Sequence, residues 1–250
     1  MQNKQAISLL FLANTISGFS QGISMIAIPW YFTAILGLQS EFGLFYGILT
    51  LVSTVWSIYA GTLIDRYNRK RILLIQSIFG FIFLALATWV GSQDLMPLWL
   101  ISGFVFTFTI LLYNIHYMNI YSFAQEITPI SYYPKVISYL EIQGQSTTIL
   151  GGAAAAVLLE GTFSGTINIF GFNFELGTAI NPWKLHQIFA LDSLTYFIAI
   201  FILLMIRYIP VHNRTIDRDS VWKRLKVGWD YIIDKPALMI FGWLTPVVFV

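Results

Sequence analysis

The chain has 250 residues, 57% of them apolar and only 10% charged, with a formal net charge of +2 and no cysteine. Soluble domains carry charge on about a quarter of their residues, so this composition excludes a soluble globule and points to a membrane protein. The lack of cysteine rules out disulfides and thiolate metal sites.

A helix crosses about 30 Å of hydrocarbon with about 20 residues. The first charge-free stretch, 6–40, is too long for the apolar core of a signal peptide and shows no small-residue cleavage pattern, so it is expected to stay as helix 1. It carries a polar stripe at helical spacing, Asn14, Ser17, Gln21 and Ser24, and the small pair Gly18/Gly22. The second stretch, 42–64, contains a similar pair, Gly43/Gly47, and both pairs predict close helix contacts. It runs into "GTLIDRYNRKR" (61–71), where five ionised groups fall within eleven positions. The third stretch is 72–93. The fourth, 95–125, places Tyr113, His116 and Asn119 three residues apart.

A short connection, 124–135, makes the next helix its neighbour. This fifth helix, whose charge-free part is 142–159, presents Glu141, Gln145, Thr148 and Gly152 on one face, followed by the small-residue run Gly151–Ala156. Glu141 and His116 fall at the same depth, so a His–Glu contact is open to them and the pair is a candidate proton carrier; the alternative is an acid that simply reaches water. A Gly- and Phe-rich loop, 160–187, precedes the sixth stretch, 187–206, which only Asp192 interrupts. Asp192 is a further proton-coupling candidate, but about one turn from the helix start it also suits the positive end of the dipole in a structural role. Val221, Trp222, Leu225, Trp229 and Ile232 then alternate with Lys223, Arg224 and Lys226, the pattern of an interfacial amphipathic helix. A seventh apolar stretch starts after Pro236 and is too short to span by Val250. The expected organisation is all-α: a six-helix unit (1–209), a central loop with an amphipathic helix (210–236) and the start of helix 7 (237–250).

Threading six spans from a cytoplasmic N-terminus puts every Lys and Arg except Lys184 on the inside, out of 14 in the chain. The opposite threading would translocate nearly all of them, so the positive-inside rule fixes the expected orientation in a cell membrane, inner or plasma. The cations of 61–71 then anchor a cytoplasmic loop between helices 2 and 3. Anchoring does not account for Asp65, which opposes retention, or for Gly61, which weakens a helix end by about 1 kcal/mol relative to Ala.

Those two residues carry a resemblance. "GTLIDRYNRK" resembles the loop 2–3 signature of the major facilitator superfamily, G-x-L-x-D-R-x-G-R-K, at Gly61, Leu63, Asp65, Arg66, Arg69 and Lys70, with Asn68 where the family has Gly. Asn tolerates a left-handed turn next best after Gly. "LDSLTYFIA" (191–199) and "VWKRLKVGWDYIIDKPAL" (221–238) are similar to stretches of the macrolide-efflux-type exporters in that superfamily. "TILGGAAAAVLL" (148–159) stands where exporters carry a Gly-Pro motif, with Gly152 replacing the proline.

The resemblance implies a secondary transporter: an N-terminal half-bundle of 3+3 inverted repeats that exports a small amphipathic, drug- or macrolide-like solute by alternating access. Its partners would be that solute, a proton gradient, the lipid bilayer, and a C-terminal half or a second copy facing Asp65; antiport is the implied mode. No cofactor or nucleic acid is expected, and residues 1–250 alone are not expected to transport. Asn14, Ser17, Gln21, Tyr113, His116, Asn119, Gln145 and Thr148 are the candidate cavity-lining set. A non-transporting assembly or regulatory subunit is the alternative. A membrane-embedded enzyme is disfavoured, because His116, His186 and His212 fall in a span, an outer loop and an inner loop. Single cysteines at Ser77 and Ser164 test the topology: Ser164→Cys is expected to react with an impermeant external reagent, and labelling of Ser77→Cys but not Ser164→Cys would overturn the orientation.

Overall fold

A computed structural model describes residues 3–162, 165–169, 172–175, 177–211, 221–237 and 240. All six expected spans are helices: α1 (Lys4–Trp30), α2 (Gln39–Arg66), α3 (Arg69–Ser92), α4 (Leu98–Ile127), α5 (Tyr133–Glu160) and α6 (Leu185–Met205). The shortest, α6 with 21 residues, is about 31 Å long at 1.5 Å per residue, enough to cross. The amphipathic helix is α7 (Val221–Ile233), with Trp222 and Trp229 exposed. The fold is an all-α membrane bundle, to which the 160–187 loop adds a hairpin of β1 (Thr166–Ile169) and β2 (Phe172–Glu175), paired antiparallel. Most of the expected seventh helix, 241–250, lies outside the described residues, as do His212, Arg214 and Arg218.

Local chemistry sets the helix ends. Pro29 lacks an N–H and crowds the preceding turn, and α1 loosens just beyond it into a π turn, Tyr31–Ile35. Pro134 starts α5, and Gly161, at φ 70°, ends it. Asn68 departs from the turn expected of it: its φ is −65°, and its Oδ1 caps α3 by accepting from the Arg71 N–H at 3.0 Å. An N-cap needs a short side-chain acceptor and no left-handed backbone, so Asn in place of Gly changes the local device and keeps the break.

Among the described residues, five of the six long helices contain a stretch long and apolar enough to cross a membrane, and α5 does not. Its middle carries Glu141, Gln143, Gln145, Thr147 and Thr148, so it depends on neighbours to shield or solvate that face. It lies against α1, which also packs on α6; α3 packs on α6 and α4, and α2 on α4. The α1/α5 contact is close because it is glycine-lined. A Cβ at Gly22 would stand 3.2 Å from the Thr147 carbonyl oxygen, and one at Gly151 only 2.8 Å from that of Phe19. The contact expected at Gly43/Gly47 is not formed among the described residues: a Cβ at either meets nothing within 4 Å there, and the adjoining Leu44 and Leu51 are exposed.

Two apolar cores result. One, towards the hairpin end, joins Ile23, Phe32, Phe42, Phe106 and Phe189; the other, towards the 61–71 loop, joins Leu10, Leu73, Phe123, Leu140 and Ile202. Along α1, α4 and α5 the residues between the two cores are the polar ones, which form a belt at mid-height. Gly151→Ala is expected to cost about 1–3 kcal/mol through overpacking, read as a lower thermal midpoint in detergent, whereas Gly47→Ala, into open space, leaves it unchanged.

Candidate functional site

The belt opens into a cavity of about 440 Å³ between α1, α4 and α5. Of the residues expected to line it, Asn14, Gln21, Tyr113, His116, Gln145 and Thr148 do, and Glu141 joins them. Ser17 and Asn119 are not among its lining residues. Ser17 is buried and donates to the Ala13 carbonyl at 2.9 Å; Asn119 is fully buried and donates to the Arg69 carbonyl at 2.9 Å.

His116 and Glu141 share the cavity without touching through a hydrogen bond. His116 Nε2 lies 2.8 Å from Asn14 Oδ1, while Asn14 Nδ2 donates to Gln143 Oε1 at 3.0 Å. With the Asn14 amide nitrogen committed to Gln143, its oxygen is the acceptor, so His116 carries a proton on Nε2. Gln143 completes the chain by donating to the Phe11 carbonyl at 2.6 Å and to the Thr15 hydroxyl. Glu141 turns the other way: its Oε1 accepts from Tyr121 Oη at 2.7 Å and from Tyr117 Oη at 3.2 Å. Gln143, Tyr117 and Tyr121 were not foreseen. The tyrosines had a signal, because 113, 117 and 121 are four apart and share one helix face. Their rings follow one another at 5.9 and 4.7 Å.

Asp192 sits two turns into α6, deeper than the one turn expected, and only 1% exposed. The Ser24 hydroxyl donates to its Oδ2 at 2.8 Å, and its Oδ1 takes no hydrogen bond. A void of about 20 Å³, room for one water, borders Ser17, Gln21, Ser77, His116 and Tyr196, and shares Asn14, Gln21 and His116 with the main cavity.

The 61–71 motif forms a second constellation at one end of the bundle. Arg69 Nη1 donates to the Ser122 carbonyl at 2.6 Å and lies 3.3 Å from Glu126 Oε2. Tyr208 Oη donates to Glu126 Oε1 at 3.1 Å and accepts from Asn68 Nδ2 at 3.2 Å. Lys70 Nζ donates to the Ile206 carbonyl at 2.7 Å. The cations thus serve the carbonyl ends of α4 and α6, where the helix dipole favours positive charge. Asn3 fastens the same end, donating to the Ile127 and Ile209 carbonyls at 2.9 and 2.8 Å. Asp65 is half-buried in the last turn of α2, Arg66 is exposed, and Gly61 has open space where a Cβ would stand. Glu126, Tyr208 and Asn3 were not foreseen either; a lone acid at a helix boundary looks like an ordinary surface charge in sequence.

A motif of this spacing that welds two helix ends, below a polar cavity in an apolar bundle, agrees with what the family comparison finds: the Major Facilitator Superfamily model matches residues 10–250. The chain belongs to the Major Facilitator Superfamily. Among curated proteins nothing matches. This facilitator chain is therefore a multi-pass membrane protein of a transporter family that acts on small-molecule substrates. Glu126 is 3% and Arg69 14% exposed, so removing one partner with Glu126→Ala is expected to cost about 3–5 kcal/mol. Thermal unfolding in detergent checks it, with Glu126→Gln, which keeps an acceptor for Tyr208, losing clearly less.

Proposed function

We propose that this facilitator chain supplies one half of an efflux permease that moves a small amphipathic solute by alternating access. The observation that carries the reading is the cavity of about 440 Å³ faced by Asn14, Gln21, His116 and Gln145. Hydrocarbon penalises unpaired polar groups by several kcal/mol each, so a polar recess of this size at mid-height is suited to water and a passing solute. A second half, or a second copy, would close its open side. The outward direction rests on the similarity of 191–199 and 221–238 to macrolide-efflux-type exporters.

Proton coupling and antiport rest on Glu141, His116 and Asp192, three ionisable side chains in the belt or beside it. The protein would work in the cell membrane with its N-terminus and the 61–71 loop in the cytoplasm. There Asp65 would meet the opposing half and bias the conformational equilibrium. The organisation into a bundle to residue 209, a linker to 236 and a further helix fits this reading.

The test is flux of a fluorescent amphipathic solute from proteoliposomes of the full-length gene product under an imposed pH gradient. Saturable flux that collapses with the gradient is expected. Asp65→Asn is expected to reduce it strongly at near-normal expression, and Lys70→Gln less. Equal losses would leave the motif as a topology anchor only, and no flux from the folded protein would favour the assembly role.

A further inference from the structure

We infer that the cavity between α1, α4 and α5 recognises a cationic head group, an ammonium or phosphonium carried on an apolar body, through Glu141 and the ladder of Tyr113, Tyr117 and Tyr121. The inference rests on the reading of that cavity as the solute path and names the solute's charge.

Among the described residues that line the cavity there is no Lys or Arg, and Glu141 is the one carboxylate. The other ionisable group with a fixed partner, His116, is engaged with Asn14. The wall facing Glu141 is aromatic. Tyr113 and Tyr117 are 46% and 44% exposed, and their rings, with that of Tyr121, step along one face of α4 at 5.9 and 4.7 Å. Aromatic faces carry negative charge density and attract cations within about 6 Å of the ring centroid. Three successive rings beside a carboxylate therefore make a strip that draws a cation and repels an anion.

The hydrogen bonds sharpen the case. Tyr117 and Tyr121 both donate to the same oxygen, Oε1 of Glu141. Those bonds hold the carboxylate against the ladder, and neither of them uses Oε2. A weakly hydrated organic cation can sit at Oε2 and over the rings at once. Its apolar body then meets Met25, Ile26, Ile120 and Leu140, which line the same cavity. The contrasting account is that the tyrosines only make a buried acid tolerable in the bilayer. On that account the variants below change stability and leave charge selectivity untouched.

The experiment is equilibrium binding of radiolabelled tetraphenylphosphonium and tetraphenylborate to the same purified protein as in the flux assay, in detergent. The two ions carry the same four phenyl groups around centres of opposite charge. The phosphonium is expected to bind saturably and about tenfold tighter than the borate, the scale of a partly desolvated cation–π contact with a screened carboxylate beside it. Glu141→Gln is expected to bring the two ions to within about twofold of each other. Tyr117→Leu, on the exposed side of the ladder, is expected to weaken the phosphonium alone by about threefold, and it carries the test if Glu141→Gln does not fold. Equal binding of both ions, unmoved by these changes, overturns the charge recognition while leaving the cavity as a solute site. Absence of saturable binding of either ion to the folded chain overturns both readings.

Discussion

Hydrocarbon offers no hydrogen bonds, and that one constraint arranges most of this bundle. Backbone groups are satisfied within the helices, but every polar side chain at mid-height needs a partner on a neighbouring helix or a wet space of its own. Asn14, Gln143 and His116 form such a chain across α1, α5 and α4, and Ser24 partners Asp192 across α1 and α6. Because the belt is satisfied from several helices at once, it also fixes their relative depth. The close α1/α5 contact follows the same logic. Glycine at 22 and 151 brings the two backbones near enough for Gln143 to reach the Phe11 carbonyl.

The two ends of the bundle are closed by different physics. At the hairpin end an aromatic cluster fills the space, with Phe42 packed on Phe32 at 5.0 Å and on Phe106 at 5.2 Å between ring centroids. At the other end the closure is polar: Lys70 and Asn3 take the Ile206 and Ile127 carbonyls at helix ends, Arg69 adds a bond to the Ser122 carbonyl, and Tyr208 ties Glu126 to the chain leaving α6. Dispersion contacts among rings yield gradually, whereas a set of directional, charge-assisted bonds either forms or breaks. Under the proposed alternating access, an all-or-none fastening belongs at the end carrying the family's motif. The proposed coupling of Asp65 to an opposing half would then act on a fastening already built from its neighbours.

Glu141 and Asp192 show how environment separates two similar side chains. Glu141 stands at the cavity wall, its Oε1 accepting from two tyrosines. Asp192 is almost wholly enclosed, with serines of α1 beside it: Ser24 bonded and Ser20 fully buried without a hydrogen-bond partner of its own. The first lines the cavity, while the second ties α6 to α1 through Ser24.

The sequence by itself determined the class, the six long helices, the amphipathic α7 and the motif. Each of these depends on one-dimensional quantities: run length against bilayer thickness, charge along the chain, and spacing within eleven residues. It also placed the polar faces, since helical period fixes which residues share a side. Only the tertiary structure decided what those faces meet. Two residues at one depth, His116 and Glu141, turn to different helices because the azimuth of each helix is set by packing such as Gly22 on Thr147. Asn119, at cavity spacing, instead closes onto the Arg69 carbonyl, while Gly43 and Gly47, at contact spacing, meet nothing among the described residues. Periodicity gives a side chain's direction around its own axis. The partner depends on which helix stands there, at what distance and in what register, and those are properties of the packed bundle.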